Sequence, residues 1–407
     1  MKILMISHFI PYPPHGGAIQ RTFNLLRETA RKHEVHLITF SQKAIQPDPR
    51  KIAENIKELE KYCKTVKVID ISSDNNILHR LLLLAANVFS NAPFDVWRFK
   101  SKNMARAIKD ALANNKFDIF HAETIGLAQY KKLAPDMPSL LVHHNVESVY
   151  ILRRGKSEKN PLAQLYLFLQ GIKIRAYERK MMPLFDMNIA VSDLDMLNFQ
   201  ERIPNGKIRV ITNGTDPEYF KPTSDIEESA LIFTGGLTWY PNRDAMHYFC
   251  ERVFPLIKKS TENIRLDIIG RSPSEDLLKY AAADESIKIH GYVDDIRSYV
   301  ARAAVYIVPI RVGGGTRLKI LDAFAAGKAV VSTSIGCEGL HVEDGKNILL
   351  ADSDQEFADK VLRLLKDKKL RGDLGSNARQ LIQDYYSWEI LGRNLNQIYQ
   401  ELNNAKT

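Results

Sequence analysis

An apolar run, Ala304-Val-Tyr-Ile-Val-Pro-Ile310, leads into Gly313-Gly-Gly-Thr-Arg-Leu-Lys319, and an apolar helical pattern follows that stops at Gly327. A second apolar run, Ala329-Val-Val-Ser332, comes next. Strand, glycine loop, helix, glycine and strand make one βαβ unit, which predicts two parallel strands of one sheet. In the helix, Leu318, Leu321, Ala325 and Ala326 share the face that would pack on that sheet. Three consecutive glycines leave the first backbone N–H groups of the helix uncovered, and the helix dipole adds partial positive charge there. Arg317 and Lys319 add two cations in or beside the first turn. Cations at a helix start disfavour the helix, so the arrangement predicts an anion that offsets the cost. A diphosphate fits.

The same alternation runs through the chain. Strands are expected at Lys2–Ser7, Glu34–Phe40, Thr65–Ile69, Phe117–His121, Ser139–His143, Met187–Val191 and Ile208–Ile211. Helices are expected at 21–31, 49–62 and about 160–181, with an irregular helical stretch over 74–115. Thr212-Asn-Gly-Thr-Asp-Pro-Glu-Tyr-Phe-Lys-Pro222 is turn chemistry. Beyond it come strands at Ala230–Thr234, Arg265–Ile269 and Ile287–His290, with helices opening at Asp244, Glu275 and Asp295. A chain of 407 residues, 45% of them hydrophobic, can fill two sizeable cores.

The stretch from Gly313 to Ser334 resembles the donor-site segment of the retaining glycosyltransferases of family 4, in a branch with the form GGGTRLK. The resemblance implies an α/β fold of the GT-B type, with two Rossmann-like domains whose parallel sheets face each other across a cleft. It implies an acceptor-side domain at 1–211, a nucleotide-sugar-binding domain at 212–384, and a terminal helix at 385–407 crossing back to the first. The crossing at Thr212-Asn-Gly-Thr-Asp216 resembles the family's PNG-hydrophobic-D turn, with threonine in place of proline. By resemblance, Gly314, Gly315 and Thr316 hold the donor phosphates with Arg317 and Lys319, and Asp322 holds the ribose. The family's usual acid eight residues before the ribose acid is replaced here by Gly314. Gly235 and Gly236 follow a strand where relatives commonly carry an Arg and, a few residues on, a Lys; those places are Gly236 and the Pro241–Asn242 region. Backbone groups around Tyr292 would read the base.

In the first half, Gly16-Gly17 follows the first strand and opens the first helix, where backbone N–H groups can meet an anion. The spacing does not meet G-x-G-x-x-G, which argues against a nicotinamide enzyme. His143-His-Asn-Val-Glu147 ends a strand at its carboxyl edge, and successive residues face opposite ways, so one histidine at most faces a ligand. The resemblance assigns that role to His144 with Asn145, on donor sugar hydroxyls, with Glu147 assisting. Asp193-Leu-Asp195 imitates a metal-binding DxD motif, but Ser192 before it reads as a helix N-cap with acids in the first turn. No metal is expected, and the nucleotide-sugar is a substrate, UDP-sugar preferred to GDP-sugar.

Charge divides the chain. Residues 1–210 hold 32 Lys and Arg against 20 Asp and Glu, a balance of +12, and the remainder holds 25 against 28, a balance of −3. Basic clusters at Arg98-Phe-Lys-Ser-Lys102, Arg153-Arg-Gly-Lys156 and Lys173–Lys180 lie beside apolar residues such as Leu165-Tyr-Leu-Phe-Leu169. Such a face suits an anionic membrane surface or solvent; no nucleic-acid motif accompanies it. Cys63, Cys250 and Cys337 are isolated and odd in number, which suits a reducing cytoplasm. Met1–Ser7 is expected as a first strand rather than a signal segment, and no stretch is long enough to span a bilayer.

The reading is a metal-independent hexosyltransferase of the EC 2.4 class, cytoplasmic and either free or peripheral on the inner face of the plasma membrane. It would act on a glycan or lipid-linked acceptor in cell-surface polysaccharide or glycolipid synthesis. A nucleotide-sugar 2-epimerase or a non-catalytic sugar-nucleotide scaffold is the alternative.

Overall fold

A computed structural model describes residues 1–14, 16–43, 45, 46, 48–71, 77–158, 160–223, 226–261, 263–313 and 317–405, the side chains of 77–81 excepted. The chain divides into two compact units, Met1–Thr212 with Leu391–Thr407, and Asn213–Ile390.

The first unit is built on strands β1 (Lys2–Ser7), β2 (Glu34–Ser41), β3 (Thr65–Asp70), β4 (Ile119–Glu123), β5 (Ser139–Val142), β6 (Met187–Ala190) and β7 (Ile208–Val210). They form one sheet in the order β3-β2-β1-β4-β5-β6-β7, with every pairing parallel. Alternate residues of β1 serve different cores: Leu4 and Ile6 join Phe40, Phe120 and Leu141, whereas Met5 joins Phe23, Leu26 and Leu37. A sheet covered on both faces needs apolar residues at successive positions, which is why the strands read as continuous apolar runs. The helix Trp388–Asn404 supplies Leu391, Leu395, Ile398, Tyr399 and Leu402 to the interior at helical spacing. Its Gly392 sits against Glu28 of the helix Gly17–Ala30, and Asn396 Nδ2 donates to the Glu28 carbonyl at 3.4 Å.

The second unit has β8 (Glu227–Thr234), β9 (Arg265–Ile269), β10 (Ile287–Gly291), β11 (Ala303–Val308), β12 (Ala329–Ser332) and β13 (Leu349–Leu350). Their order is β10-β9-β8-β11-β12-β13, again all parallel. The βαβ unit read from the sequence is β11, the helix Leu318–Ala325 and β12. Gly327 ends it at φ +67°, a left-handed conformation that glycine adopts without strain. Arg379 donates to the Ala325 carbonyl and, at 3.1 Å, to those of Pro217 and Phe220, so a cation occupies the carboxyl end of the short helix.

Several expectations shift. The helix after β8 opens at Tyr240 rather than Asp244, with Pro241 in its first turn, where a missing N–H costs nothing. The strand expected at Phe117–His121 runs over Ile119–Glu123, and β5 stops at Val142. Two cations assigned to a basic face are placed otherwise: Lys173 is buried, with Nζ donating to the carbonyls of Asn87 and Val88 at 2.7 and 3.1 Å. Arg98 donates to Gln42 Oε1 at 3.0 Å.

The helix Lys368–Leu381 packs against Leu318–Ala325 and β12 through Gly375, where any Cβ would strike the Gly327 carbonyl oxygen. Gly375→Ala should therefore destabilise the second unit by about 1–3 kcal/mol, the usual cost of overpacking a closed contact. Urea unfolding of the variant beside the wild type checks this. An unchanged midpoint would mean that the two helices have room to part.

Candidate functional site

In the second unit the loop between β11 and its helix is where the cations gather. Gly313 has φ +117°, and Arg317 is the N-cap residue of the helix. Gly314, Gly315 and Thr316 lie outside the described residues. Arg317 is buried, its guanidinium 5.3 Å above the ring centroid of Trp239. Lys319 reaches to the end of β8, where Nζ donates to Asn242 Oδ1 at 2.7 Å and lies 3.9 Å above the Phe233 ring. Burial first, and the charge of Arg317 second, push the Lys319 ammonium well below its usual pKa.

Gly235 makes this approach possible. It has φ +150°, and a Cβ there would stand 2.5 Å from Lys319 Nζ and 2.8 Å from Asn242 Nδ2. A Cβ at Gly236 would meet nothing within 4 Å, so its backbone is open. Asn242 Nδ2 donates to the Gly236 carbonyl at 2.9 Å, tying the open turn to the lysine. The structure thus brings Gly235, Gly236, Arg317 and Lys319 together, with Trp239 and Asn242 as members that the sequence did not reveal.

Asp322 sits one turn along the helix and accepts from Thr215 Oγ1 at 2.7 Å. Burial pushes its carboxyl up to about 7, against the opposing effect of the Thr215 bond. Tyr292 follows β10, half exposed, with the Arg271 guanidinium 4.4 Å over its ring.

In the first unit, a cavity of about 440 Å³ is lined by Gly16, Gly17, His8, Phe9, Asp95, Arg98, Phe99 and Glu147, among others. Gly16 is the N-cap residue of its helix, and a Cβ there would meet nothing within 4 Å. His143 and His144 diverge as strand-end neighbours should. His143 is buried against Phe199 and bonds Asn188 Oδ1 through Nε2 at 3.2 Å, so it is structural. His144 turns to Glu123, with Nε2 2.9 Å from Oε2. Burial alone would raise the Glu123 carboxyl, but hydrogen bonds from His121 and His144 outweigh it and hold the group well below the usual carboxylate range. His8 lies 5.6 Å from His144 between ring centroids, and burial, aided by His144, lowers its pKa to about 3. Glu147 is opposite in character: burial, then Asp95 and Glu178, push it up to about 8, although Asn145 hydrogen-bonds it. Asp193 and Asp195 stand in the first turn of a helix capped by Ser192, whose Oγ accepts from the Asp195 N–H at 3.1 Å.

Sequence comparison decides the family. A model of Glycosyltransferase Family 4 matches residues 15–219, half of the chain. The protein belongs to Glycosyltransferase Family 4. A model described as Glycosyl transferases group 1 matches residues 228–367 of this family member. It is a transferase of the EC 2.4 class, related to enzymes of cell-surface polysaccharide and glycolipid synthesis. An uncharacterized 44.6 kDa protein in the cps region of Klebsiella pneumoniae is 25% identical, covering 95% of this chain and 96% of its own. The lipopolysaccharide 1,2-N-acetylglucosaminetransferase of Salmonella typhimurium is 24% identical over 63% of this chain and 71% of its own. The phosphatidyl-myo-inositol mannosyltransferase of Mycolicibacterium smegmatis is 25% identical over 74% and 75%. Among solved structures, sucrose-phosphate synthase from Thermosynechococcus elongatus superposes over all of both chains with TM-score 0.71 and 18% identity. Anabaena Alr3699/HepE, in complex with UDP and glucose, superposes over 98% of this chain and 100% of its own, with TM-score 0.66 and 16% identity. The fold is GT-B.

Glu147 yields a pH prediction. Its folded pKa of about 8 exceeds the reference 4.5, so the fold keeps the proton more tightly than the unfolded chain does. The penalty is absent below about 4.5 and grows as pH rises to 8. Glu147→Gln should match wild-type stability near pH 4.5 and exceed it at pH 8, by about 1.4 kcal/mol for each unit by which the folded value stands above 4.5. Urea melts at the two pH values check the sign. A wild type more stable than the variant at pH 8 would mean that the carboxylate is ionised and paired.

Proposed function

We propose that this family member is a retaining transferase that moves a hexose from a UDP-sugar to a hydroxyl of a glycan or lipid-linked acceptor, in cell-surface polysaccharide or glycolipid synthesis. The observation that carries the reading is the helix start at Leu318, with buried Arg317 as its N-cap residue beside the open turn at Gly236. A buried guanidinium at a helix N-terminus adds to the positive end of the dipole, and a diphosphate offsets both. As the anomeric C–O bond breaks, negative charge grows on the leaving diphosphate. Donors already aimed at that charge lower the barrier without reorganising. The acceptor hydroxyl attacks from the face that the diphosphate leaves, and a departing phosphate oxygen takes its proton. Asp322 holds the ribose, backbone groups around Tyr292 read the base, and His144 with Asn145 contacts sugar hydroxyls. The printed ligands of the Anabaena neighbour, UDP and glucose, support this donor class.

Arg317→Ala should weaken UDP binding and slow turnover by more than tenfold, since a lost charge-assisted contact costs ~1.5–3 kcal/mol. Calorimetric titration with UDP and a coupled UDP-release assay with UDP-hexoses measure the two effects. Equal nucleotide affinity in variant and wild type would remove Arg317 from the site. In the same assay a changed sugar without transfer would indicate an epimerase, and binding without turnover a scaffold. The diphosphate is met by protein cations in this reading, so turnover should also survive EDTA. Loss of activity that manganese restores would overturn that part.

The acceptor is proposed to lie at the cytoplasmic face of an anionic membrane. Leu162, Leu165, Phe168 and Ile172 on the helix Pro161–Met181 are each more than half exposed. Arg153, Arg154 and Lys156 are exposed on the helix Glu147–Ser157, which packs beside it. Among the described residues no helix is long and apolar enough to cross a membrane, so the contact would be peripheral. Reversing the charge of those three cations should reduce binding to acidic liposomes by about 1 kcal/mol per residue, with salt reducing it further. Vesicle sedimentation across lipid charge and salt checks this, and binding indifferent to both would point to a soluble acceptor.

A further inference from the structure

Thr215 stands in the turn that follows β7 and opens the second unit. It is fully buried, yet it carries a hydroxyl. The PNG-hydrophobic-D turn that this segment resembles has an apolar residue at this place, which burial would favour. A buried hydroxyl without a partner costs stability, so the identity of its partner is informative. That partner is Asp322 Oδ1, which accepts from Thr215 Oγ1 at 2.7 Å across 107 residues of chain.

The backbone of Thr215 is fixed as well. Its N–H donates to the Tyr386 carbonyl at 2.9 Å, and its carbonyl accepts from the Trp388 N–H at 3.2 Å. These two bonds pair Thr215 with Ser387 as a parallel bridge, and Tyr386 and Trp388 are themselves buried. The turn meets the Asp322 helix a second time through Arg379. That guanidinium joins the Pro217 and Phe220 carbonyls to the Ala325 carbonyl, one turn beyond Asp322. A hydroxyl on a backbone held at this many points has one position, and Asp322 Oδ1 is held there with it.

The hydrogen bond also acts on charge. Burial disfavours the Asp322 carboxylate, and the Thr215 bond favours it. Tyr306 of β11 is the other titratable group that senses Asp322, and its hydroxyl is bonded to Thr234. Thr215 engages one oxygen of the carboxylate, and Asp322 keeps part of its surface open.

We infer that Thr215 is a positioning residue whose hydroxyl, set on an anchored turn, holds Asp322 as an oriented acceptor for the vicinal hydroxyls of a ribose. The inference rests on the proposal that Asp322 holds the ribose of a UDP-sugar. It adds the residue that aims the acid and the chain segment that supports it. An aspartate with one oxygen pinned loses less rotamer freedom when a ligand arrives. Valine, of similar shape, would leave Oδ1 without its donor and the effect of burial unopposed.

Calorimetric titration of the full-length protein with UDP and with 2′,3′-dideoxy-UDP tests this. The wild type should bind UDP about tenfold more tightly than the dideoxy nucleotide, since the latter leaves the acid without donors. Thr215→Val should weaken UDP binding at pH 7 by about fivefold and leave dideoxy binding unchanged. Thr215→Ser, which returns the hydroxyl, should return the discrimination. Equal losses for both nucleotides, or no loss, would overturn the inference. If the valine variant does not fold, Thr215→Ala takes its place with the same expectations. A second readout needs no ligand. Carbon NMR of the Asp322 carboxyl, assigned with Asp322→Asn, should show a higher titration midpoint in the valine variant, because the donor that favours the anion is gone. An unchanged midpoint would break the link between Thr215 and Asp322. A wild type that binds both nucleotides equally would defeat the ribose role of Asp322 and the inference with it. Discrimination that survives in the valine variant would sink the inference alone.

Discussion

A parallel sheet sealed on both faces by apolar packing has one place left for chemistry, the loops at its strand ends. In this protein Leu4, Met5 and Ile6 are all buried, and so are Ala303 through Val308, so these central strands leave no exposed face. His8 follows β1, Glu123 ends β4, His144 follows β5, Gly235 follows β8 and Arg317 follows the loop after β11. All are at carboxyl ends, where parallel strands deliver every crossover to a helix N-terminus. The constraint is topological, and it explains why residues far apart in sequence converge. Lys319 and Asn242 are 77 residues apart and hydrogen-bonded. Tyr399 and His121 are separated by 278.

The second unit draws both cations of its candidate site from one loop and helix start. The family resemblance implies cations after the first strand of this domain, at places where this chain has Gly236 and the Pro241–Asn242 region. Here Arg317 and Lys319 come to the same neighbourhood from the opposite loop, over Trp239 and Phe233. Glycine at position 235 and asparagine at position 242 suit that arrangement. Gly235 leaves room for the Lys319 ammonium, and Asn242 offers it a neutral acceptor. A carboxylate at position 242 would neutralise the lysine and weaken its pull on an anion; asparagine orients the ammonium and leaves the charge in place. Burial of the ammonium first, and the charge of neighbouring Arg317 second, are the physical content of the depressed Lys319 pKa.

The alternation of strand and helix was legible because parallel strands are apolar at successive positions and glycine marks helix ends. The βαβ unit from Ala303 to Ser332 is the clearest case. What sequence could not show was pairing. Glu123 lies two residues beyond the strand expected at Phe117–His121, and only the fold reveals two imidazoles and Thr22 converging on it. Lys173 reads as one of a basic run, yet it caps the carbonyls of Asn87 and Val88 because its helix face turns inward. The helix start at Tyr240, four residues before the expected Asp244, was legible in principle, since Pro241 suits a first turn.

The first unit pays a stability cost for its polar site from both sides of neutrality. His8 and His143 have folded values of about 3 and about 4, below the reference 6.5. The unfolded chain therefore binds protons there that the fold refuses, and stability contributed by both histidines is lost as pH falls from 6.5. Glu147 works the other way, because its raised value makes rising pH costly through about 8. Opposed slopes confine the best stability to a window between these transitions. Glu123 is the exception within the cluster, a carboxylate that the imidazoles keep ionised. With His121 and His144 both committed to it, the charge of Glu123 organises the site, while His8 stays neutral beside it. A neutral His8 imidazole adds no further charge to the cluster around Glu123.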